Sequence, residues 1–231
     1  MKYNTKLEYV LCIETTSEIC SVAIYSHDLL VDEINYDLGL NHSVTLFTAI
    51  NDLLIKNNID TKYIYKIKVS CGPGSFTGIR IGIACASGLS KANNIPIEYI
   101  DTLDSLTANA GSKSDFILSM IDARNNRVYF SFFDTNYNKL IKDRVVDIND
   151  LIGLLNKYFG KKNVSIIFVG NGAKIYKNEL KKDLNIKFNI LNSNFSLKAS
   201  SMQYKNGIID KKPYINYILA SKAEKEFNGK C

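Results

Sequence analysis

The most restrictive feature of this sequence is an order of predicted strands and helices that occurs twice along its 231 residues. In the first half, the apolar pattern predicts strands at 9–14, 20–25 and 29–38, an amphipathic helix at 43–56 and a strand at 66–70. Short polar turns separate the first three segments, which favours hairpin connections and therefore antiparallel strands.

The second half of the chain repeats this order. Strands are predicted at 116–122, 127–134 and 139–146, a helix at 148–158 and a strand at 164–169. Three hairpin-connected strands followed by a crossover helix and a further strand predict a mixed sheet. This is the ribonuclease H-like order, and two copies of it predict an actin-like α/β fold with two lobes.

The repeat also sets the expected domains and two candidate ligand positions. The lobes are assigned to residues 1–110 and 111–231, joined by a helix at 102–110. The first strand of each half ends in an acid, Glu14 or Asp122. Because ligands bind at the carboxyl ends of strands in open α/β sheets, both acids are candidates for weak nucleotide contacts. Acids that only cap a turn would give the same pattern.

A glycine-rich segment, SCGPGSFTGIRIG at residues 70–82, predicts a strand, a tight turn and a helix at 76–92 that Ser75 or Thr77 can cap. Each glycine inside that helix costs about 1 kcal/mol relative to alanine, so another backbone is expected to come close. The helix N-terminus is alternatively an anion site. The segment lacks the Gly-Lys-Ser/Thr ending of a P-loop and the Gly-x-Gly-x-x-Gly fingerprint of dinucleotide-binding proteins. The residues therefore favour a packing role for the helix, and an anion site remains the alternative.

The composition indicates the cell compartment in which the protein is expected to function. Five cysteines show no C-x-x-C spacing, which is typical of reduced, buried thiols in a cytoplasmic protein. The first residues lack the apolar core of a signal peptide, and no apolar run reaches the ~20 residues of a membrane span. We therefore expect no membrane association.

The charge is uneven along the chain. Residues 1–110 carry 8 basic and 12 acidic groups, whereas residues 111–231 carry 21 and 11. A basic second half permits a nucleic-acid surface, although a lysine-rich solvated surface gives the same count. The Lys-Lys pairs at 161, 181 and 211 are scattered in sequence and make no compact motif.

Several motifs together resemble the TsaB (YeaZ) family. They are Ile13–Glu18, Cys20–Ile24, the glycine-rich segment and Ile121-Asp122-Ala123-Arg124 followed by Val128-Tyr129. The resemblance is good over residues 9–134 and weak beyond. It implies an actin-like fold and a role in making threonylcarbamoyladenosine in tRNAs that read codons starting with A. Glu14 departs from the family, which usually has aspartate there.

The resemblance implies a partner subunit with no catalytic residues of its own. Such a protein pairs with and activates a TsaD-type transferase, a TsaE-type ATPase joins them, and tRNA is bound through the complex. A homodimer forms through the same surface when TsaD is absent. No resident cofactor is implied, although weak ATP or ADP binding within the complex is compatible with it.

The resemblance assigns the pairing surface to the helices at 43–56 and 76–92. A Gly82→Leu change is then expected to abolish pairing and leave the fold largely intact. The residues expected at this interface are Val44, Phe47, Thr77, Gly78, Arg80, Ile81, Gly82, Cys85 and Ala86.

The alternative is an autonomous actin-like, ATP-dependent enzyme, either a kinase or an acyl or carbamoyl transferase. Its nucleotide turn would need a glycine after the first strand, which neither Glu14-Thr15-Thr16 nor Asp122-Ala123-Arg124 supplies. A histidine-based metal site is not expected, because the two histidines, His27 and His42, are fifteen residues apart. His42 is expected to cap a helix or lie on the surface.

Overall fold

The computed structural model describes residues 8–37, 42–108, 110, 114–191, 198–202, 207–209, 214–216 and 218. These residues divide into two compact units, the first drawn from 1–105 and 197–215 and the second from 106–196 and 216–231. The observed division falls five residues before the boundary placed after residue 110. The described residues 198–202, 207–209, 214 and 215, which the sequence assigned to the second lobe, belong to the first unit.

The first unit contains one mixed sheet in the order β11-β5-β4-β1-β2-β3. Its strands are β1 (Tyr9–Glu14), β2 (Cys20–Ser26), β3 (Leu29–Tyr36), β4 (Ile64–Ser70), β5 (Ile97–Ile100) and β11 (Ile208–Ile209). The pairs β1/β2 and β2/β3 are antiparallel, whereas β1/β4 and β4/β5 are parallel. Apolar residues fill almost the whole of β1 and β2, as expected for strands covered on both faces.

Helices α1 (His42–Lys56) and α2 (Phe76–Asn93) belong to this unit, as do 3-10 turns at Thr61–Tyr63 and Ala199–Met202. Helix α3 (Thr102–Thr107) follows β5 and contains the division between the two units. The predicted cap of α2 is confirmed at Ser75, whose hydroxyl accepts a hydrogen bond from the Gly78 amide at 3.2 Å. The helix ends at Asn93 and is capped by Asn94, which has the left-handed φ of 54°. Leu46, Ile50 and Leu53 of α1 are buried in the core.

The second unit contains a five-stranded sheet in the order β10-β9-β6-β7-β8. Its elements are β6 (Phe116–Asp122), β7 (Arg127–Asp134), β8 (Lys139–Asp147), α4 (Ile148–Phe159), β9 (Ser165–Val169), α5 (Asn171–Ile175), α6 (Lys177–Asp183) and β10 (Lys187–Ile190). Again the first three strands are antiparallel and the last two join in parallel.

The two sheets therefore share one topology, 3-2-1-4-5, and the predicted duplicated actin-like α/β fold is confirmed. The sequence missed the fifth strand of each sheet, β5 and β10, which have four residues each. It also extended the third strand to residue 38, which lies outside the described residues, and α3 beyond Thr107, where the structure ends it. No helix among the described residues is long and apolar enough to cross a membrane.

Candidate functional site

The glycine-rich segment joins β4 to α2 through a turn that is bonded to its own unit. Gly72 has φ of 104°, a conformation that favours glycine. Its carbonyl accepts from the Thr102 amide at 2.9 Å, and the Ser75 amide donates to the Thr16 carbonyl at 2.8 Å. The turn therefore lies against the loop that connects β1 to β2.

Three glycines of this segment face that loop so closely that a side chain would collide with it. A Cβ atom built on Gly74 would lie 2.5 Å from the Thr16 carbonyl oxygen. On Gly78 it would lie 1.9 Å from the Thr15 carbonyl oxygen, and on Gly82 2.4 Å from the Thr15 hydroxyl. The Thr15 hydroxyl also donates to the Gly78 carbonyl at 2.8 Å, which fixes the two backbones together.

The close approach expected of the glycines is thus made within the chain. A leucine at residue 82 would have to displace the Thr15 hydroxyl, so Gly82→Leu is expected to disturb the packing of the first unit as well as any pairing. Gly88 differs from the others, since a Cβ atom built on it meets nothing within 4 Å.

The residues expected at a partner interface fall into two groups. Val44 and Phe47 are 74% and 65% exposed on α1, Thr77 and Arg80 are exposed on α2, and Ile81 and Cys85 are half-buried. The others, Gly78, Gly82 and Ala86, are buried within the first unit. Of the residues expected at the interface, those of the first group are therefore the accessible ones.

Two features shape the accessible side of α2. The Arg80 guanidinium lies 3.8 Å from the centre of the Phe76 ring, a cation–π contact that orients it along the helix. Burial raises the pKa of the Cys85 thiol to about 11, so this side chain is an uncharged, weakly reactive group at neutral pH.

Glu14 is fully buried at the end of β1. One carboxylate oxygen accepts from the Thr16 amide and the Thr16 hydroxyl, both at 2.5 Å, and the other accepts from the Ser70 hydroxyl. Burial raises the pKa of this carboxyl, and the three hydrogen bonds oppose the rise. The carboxylate is therefore bonded to its own turn and to β4.

Asp122, at the equivalent end of β6, is half-buried. Its carboxylate accepts from the Arg124 amide and from the Tyr176 hydroxyl, both at 3.0 Å. Burial and the bond to Asp122 raise the pKa of Tyr176 to about 12. The two predicted acids thus belong to different units, and each is hydrogen-bonded within its own unit.

The histidines lie in different elements. His27 is exposed in the β2–β3 turn. His42 is buried, and its Nε2 lies 2.8 Å from the Ser17 carbonyl oxygen. The expectation of a surface or capping role for His42 is wrong, because the first turn of α1 is packed against the β1–β2 loop.

The structure brings together lysines that are scattered in the sequence. The Asn156 amide group donates to the Asp183 carbonyl at 2.8 Å and its oxygen accepts from the Asn185 amide at 2.8 Å, so the C-terminal ends of α4 and α6 are joined. These two ends carry five exposed lysines, Lys157, Lys161, Lys162, Lys181 and Lys182, which we call the lysine cluster. The sequence did not predict this cluster, because the lysine pairs at 161 and 181 are scattered along the chain.

The chain is similar in sequence to several known proteins. A family model described as TsaD, tRNA N6-adenosine threonylcarbamoyltransferase, matches residues 38–213. The tRNA threonylcarbamoyladenosine biosynthesis protein TsaB of Buchnera aphidicola (strain Bp) is 30% identical over 92% of this chain and 96% of its own length. The TsaB of Bacillus subtilis is 29% identical over 77% of both chains.

Solved structures agree with the fold. YeaZ from Pseudomonas aeruginosa superposes with a TM-score of 0.67, at 19% identity, over 84% of this chain and 88% of its own. A second solved structure, of a protein described as having similarity to peptidase YEAZ from Pseudomonas aeruginosa, superposes with a TM-score of 0.69 at 19% identity over 92% of this chain and 100% of its own. The chain therefore belongs to the TsaB (YeaZ) family, within the wider sequence family that the TsaD model describes.

Proposed function

We propose that this protein is a non-catalytic subunit in the biosynthesis of threonylcarbamoyladenosine in tRNAs that read codons starting with A. It acts by pairing with a TsaD-type transferase and activating it. Membership of the TsaB family supports the pathway. The observation that carries the pairing is the exposure of Val44 and Phe47, at 74% and 65%, on a helix that packs against α2.

Large apolar side chains exposed together on one helix are typical of an interaction surface. Burying each of them against a partner stabilises the complex by about 1.5–3 kcal/mol. Arg80 and Thr77 supply polar groups beside this apolar face. The same face supports a homodimer, so a second copy and the TsaD-type subunit would compete for it. A TsaE-type ATPase joins the assembled pair in this proposal.

The proposal gives the chain no catalytic residues and no resident cofactor. Glu14 is buried and accepts three hydrogen bonds from its own unit, which leaves it poorly suited to bind a metal-nucleotide complex. Weak ATP or ADP binding is confined to the assembled complex. The lysine cluster supports an approach of tRNA to the second unit, since exposed lysines attract phosphates.

A Phe47→Glu variant tests the pairing, with Leu29→Glu as its matched control. Leu29 is 73% exposed on the edge strand β3, outside both helices. Multi-angle light scattering with the TsaD-type subunit of the same organism should show a heterodimer for the control and separate subunits for Phe47→Glu. Cells that carry only Phe47→Glu should lose threonylcarbamoyladenosine from bulk tRNA.

Two results would overturn the proposal. One is unchanged threonylcarbamoyladenosine in tRNA after depletion of this protein. The other is turnover of ATP by the purified chain alone, lost in Glu14→Ala, which would make it an autonomous enzyme.

A further inference from the structure

A cavity of about 450 Å³ lies in the second unit, between α4 and one face of the sheet. Ten residues line it, five of which are aromatic, and the only charged one is Arg144. Its volume is within the range of about 300–1,000 Å³ found for small-molecule pockets. Neither the glycine-rich segment nor the lysine cluster contributes to it.

Aromatic rings form one wall of this cavity. The rings of Phe116, Phe132 and Phe159 contact one another, with centroids 5.1 to 5.5 Å apart. Leu140 and Tyr158 at the cavity remain 52% and 58% exposed, which leaves an apolar entrance in contact with water. The cavity is therefore open and mostly apolar, a combination suited to an apolar ligand body.

Arg144 supplies the one charge. It pairs with Phe130 in the β7–β8 register and lines the cavity with it. Among the residues that the structure describes, its side chain has no ion-pair or hydrogen-bond partner. It is one of only four arginines in a chain with 25 lysines. A guanidinium binds a carboxylate through two parallel hydrogen bonds, which an ammonium does not.

We propose that this cavity binds a small amphipathic carboxylate, with its apolar body against the phenylalanines and its carboxylate on Arg144. The absence of any acid from the lining leaves the arginine charge available to an anionic ligand. This inference is independent of the proposed pairing through α1 and α2.

A different explanation of Arg144 follows from its strand. β8 is an edge strand, and a charge directed inward on an edge strand hinders pairing with other chains. That role needs only a charge and no ligand. It predicts that the oligomeric state, not ligand binding, changes when Arg144 is neutralised.

The test uses the full chain and 1-anilinonaphthalene-8-sulfonate as a fluorescent probe. One probe molecule per chain should bind saturably and be displaced by decanoate or by 1-naphthylacetate. The first competitor represents aliphatic and the second aromatic carboxylates, so their relative strength identifies the kind of body preferred. Decanol, which lacks the charge, should compete through apolar contacts alone.

The decisive variant is Arg144→Gln, and Lys142→Gln is its matched control. Lys142 is exposed on the same strand and does not line the cavity. Loss of a charge-assisted bidentate bond should weaken decanoate about tenfold or more and leave decanol unchanged. Lys142→Gln should change neither. A Leu154→Trp variant, which fills the entrance with a larger ring, should weaken both competitors.

Three results would overturn the inference. They are the absence of saturable binding to a wild-type protein that melts cooperatively, an equal loss of decanoate affinity in Arg144→Gln and Lys142→Gln, and a change of oligomeric state in Arg144→Gln with decanoate affinity unchanged. Leu154→Trp keeps the test valid if Arg144→Gln does not fold, because retained decanoate binding in that variant would place the site elsewhere.

Discussion

Gly78 and Gly88 lie on the same helix, yet alanine at the two positions should have opposite effects on stability. In Gly78→Ala the new Cβ atom would lie 1.9 Å from the Thr15 carbonyl oxygen, far inside van der Waals contact. In Gly88→Ala the new methyl group meets nothing within 4 Å. The pair therefore separates the cost of close packing from helix propensity.

The magnitudes follow from two terms. Replacing glycine by alanine inside a helix stabilises it by about 1 kcal/mol, and this is the whole effect expected at Gly88. At Gly78 the same gain is opposed by overpacking, which costs about 1–3 kcal/mol and more where the neighbour is backbone. The obstructing atom is a carbonyl oxygen of the β1–β2 loop, so rotation of a side chain cannot relieve the contact. We expect a net loss at Gly78.

Urea unfolding followed by circular dichroism measures both variants. Gly88→Ala should unfold at higher urea than the wild type and Gly78→Ala at lower urea, with an intermediate loss for Gly82→Ala because Thr15 can turn its hydroxyl away. A Gly78→Ala protein as stable as Gly88→Ala would refute the intrachain role of these glycines. In that case the glycines of α2 would be assigned to a surface that binds a partner helix.

Three further predictions concern the other sites. Burial raises the pKa of Glu14, so the folded state keeps a proton that the unfolded state releases above the ordinary pKa of 4.5. The stability of the wild type should therefore fall relative to that of Glu14→Gln as the pH rises from 4.5. Urea unfolding of both proteins across that pH range should show a widening difference in unfolding free energy. Tyr176→Phe removes the hydrogen bond to Asp122 and should cost about 1 kcal/mol of unfolding free energy, measured by the same method, whereas no change would mean that water replaces the hydroxyl. Replacing Lys161, Lys162 and Lys181 by glutamine should lower the salt dependence of tRNA binding by the complex. The slope of the logarithm of the binding constant against the logarithm of the salt concentration should fall by about 0.7–0.9 for each phosphate that is no longer neutralised. The same change at Lys56, Lys62 and Lys91 should leave this slope unchanged.

Long periodic segments were predictable from the sequence, and short ones were not. The strands 9–14, 116–122 and 127–134 have the predicted bounds, because each contains five apolar residues within six to eight positions. β5 and β10 have four residues each, too few for a period to be recognised. Their place in the sheets depends on parallel pairing with β4 and β9, which is tertiary information.

Of the candidate interface, the sequence indicated some of the exposed residues but not the contacts of the buried ones. Exposure of Val44 and Phe47 agrees with the apolar pattern of α1, which has more apolar positions than one buried side needs. The burial of Gly78 and Gly82 depends on the β1–β2 loop, which is about sixty residues away in sequence. A single sequence shows that one side of a helix carries small residues, but it does not show which backbone packs against that side.

The second unit supplies the strongest reason to assign the glycines to the fold itself. A Cβ atom built on Gly170, at the end of β9, would lie 2.2 Å from the Met120 carbonyl oxygen near the end of β6. β9 and β6 pair in parallel, as β4 and β1 do in the first unit. In each unit, therefore, the chain leaving the fourth strand passes closely over the end of the first strand, and glycine is what that crossing permits. In the first unit this crossing leads into a long helix, α2, which has eighteen residues. The helix at the corresponding place in the second unit, α5, has five. The glycines thus belong to the repeated topology, whereas the exposed residues of α1 and α2 are particular to the first unit and are the part available for recognition.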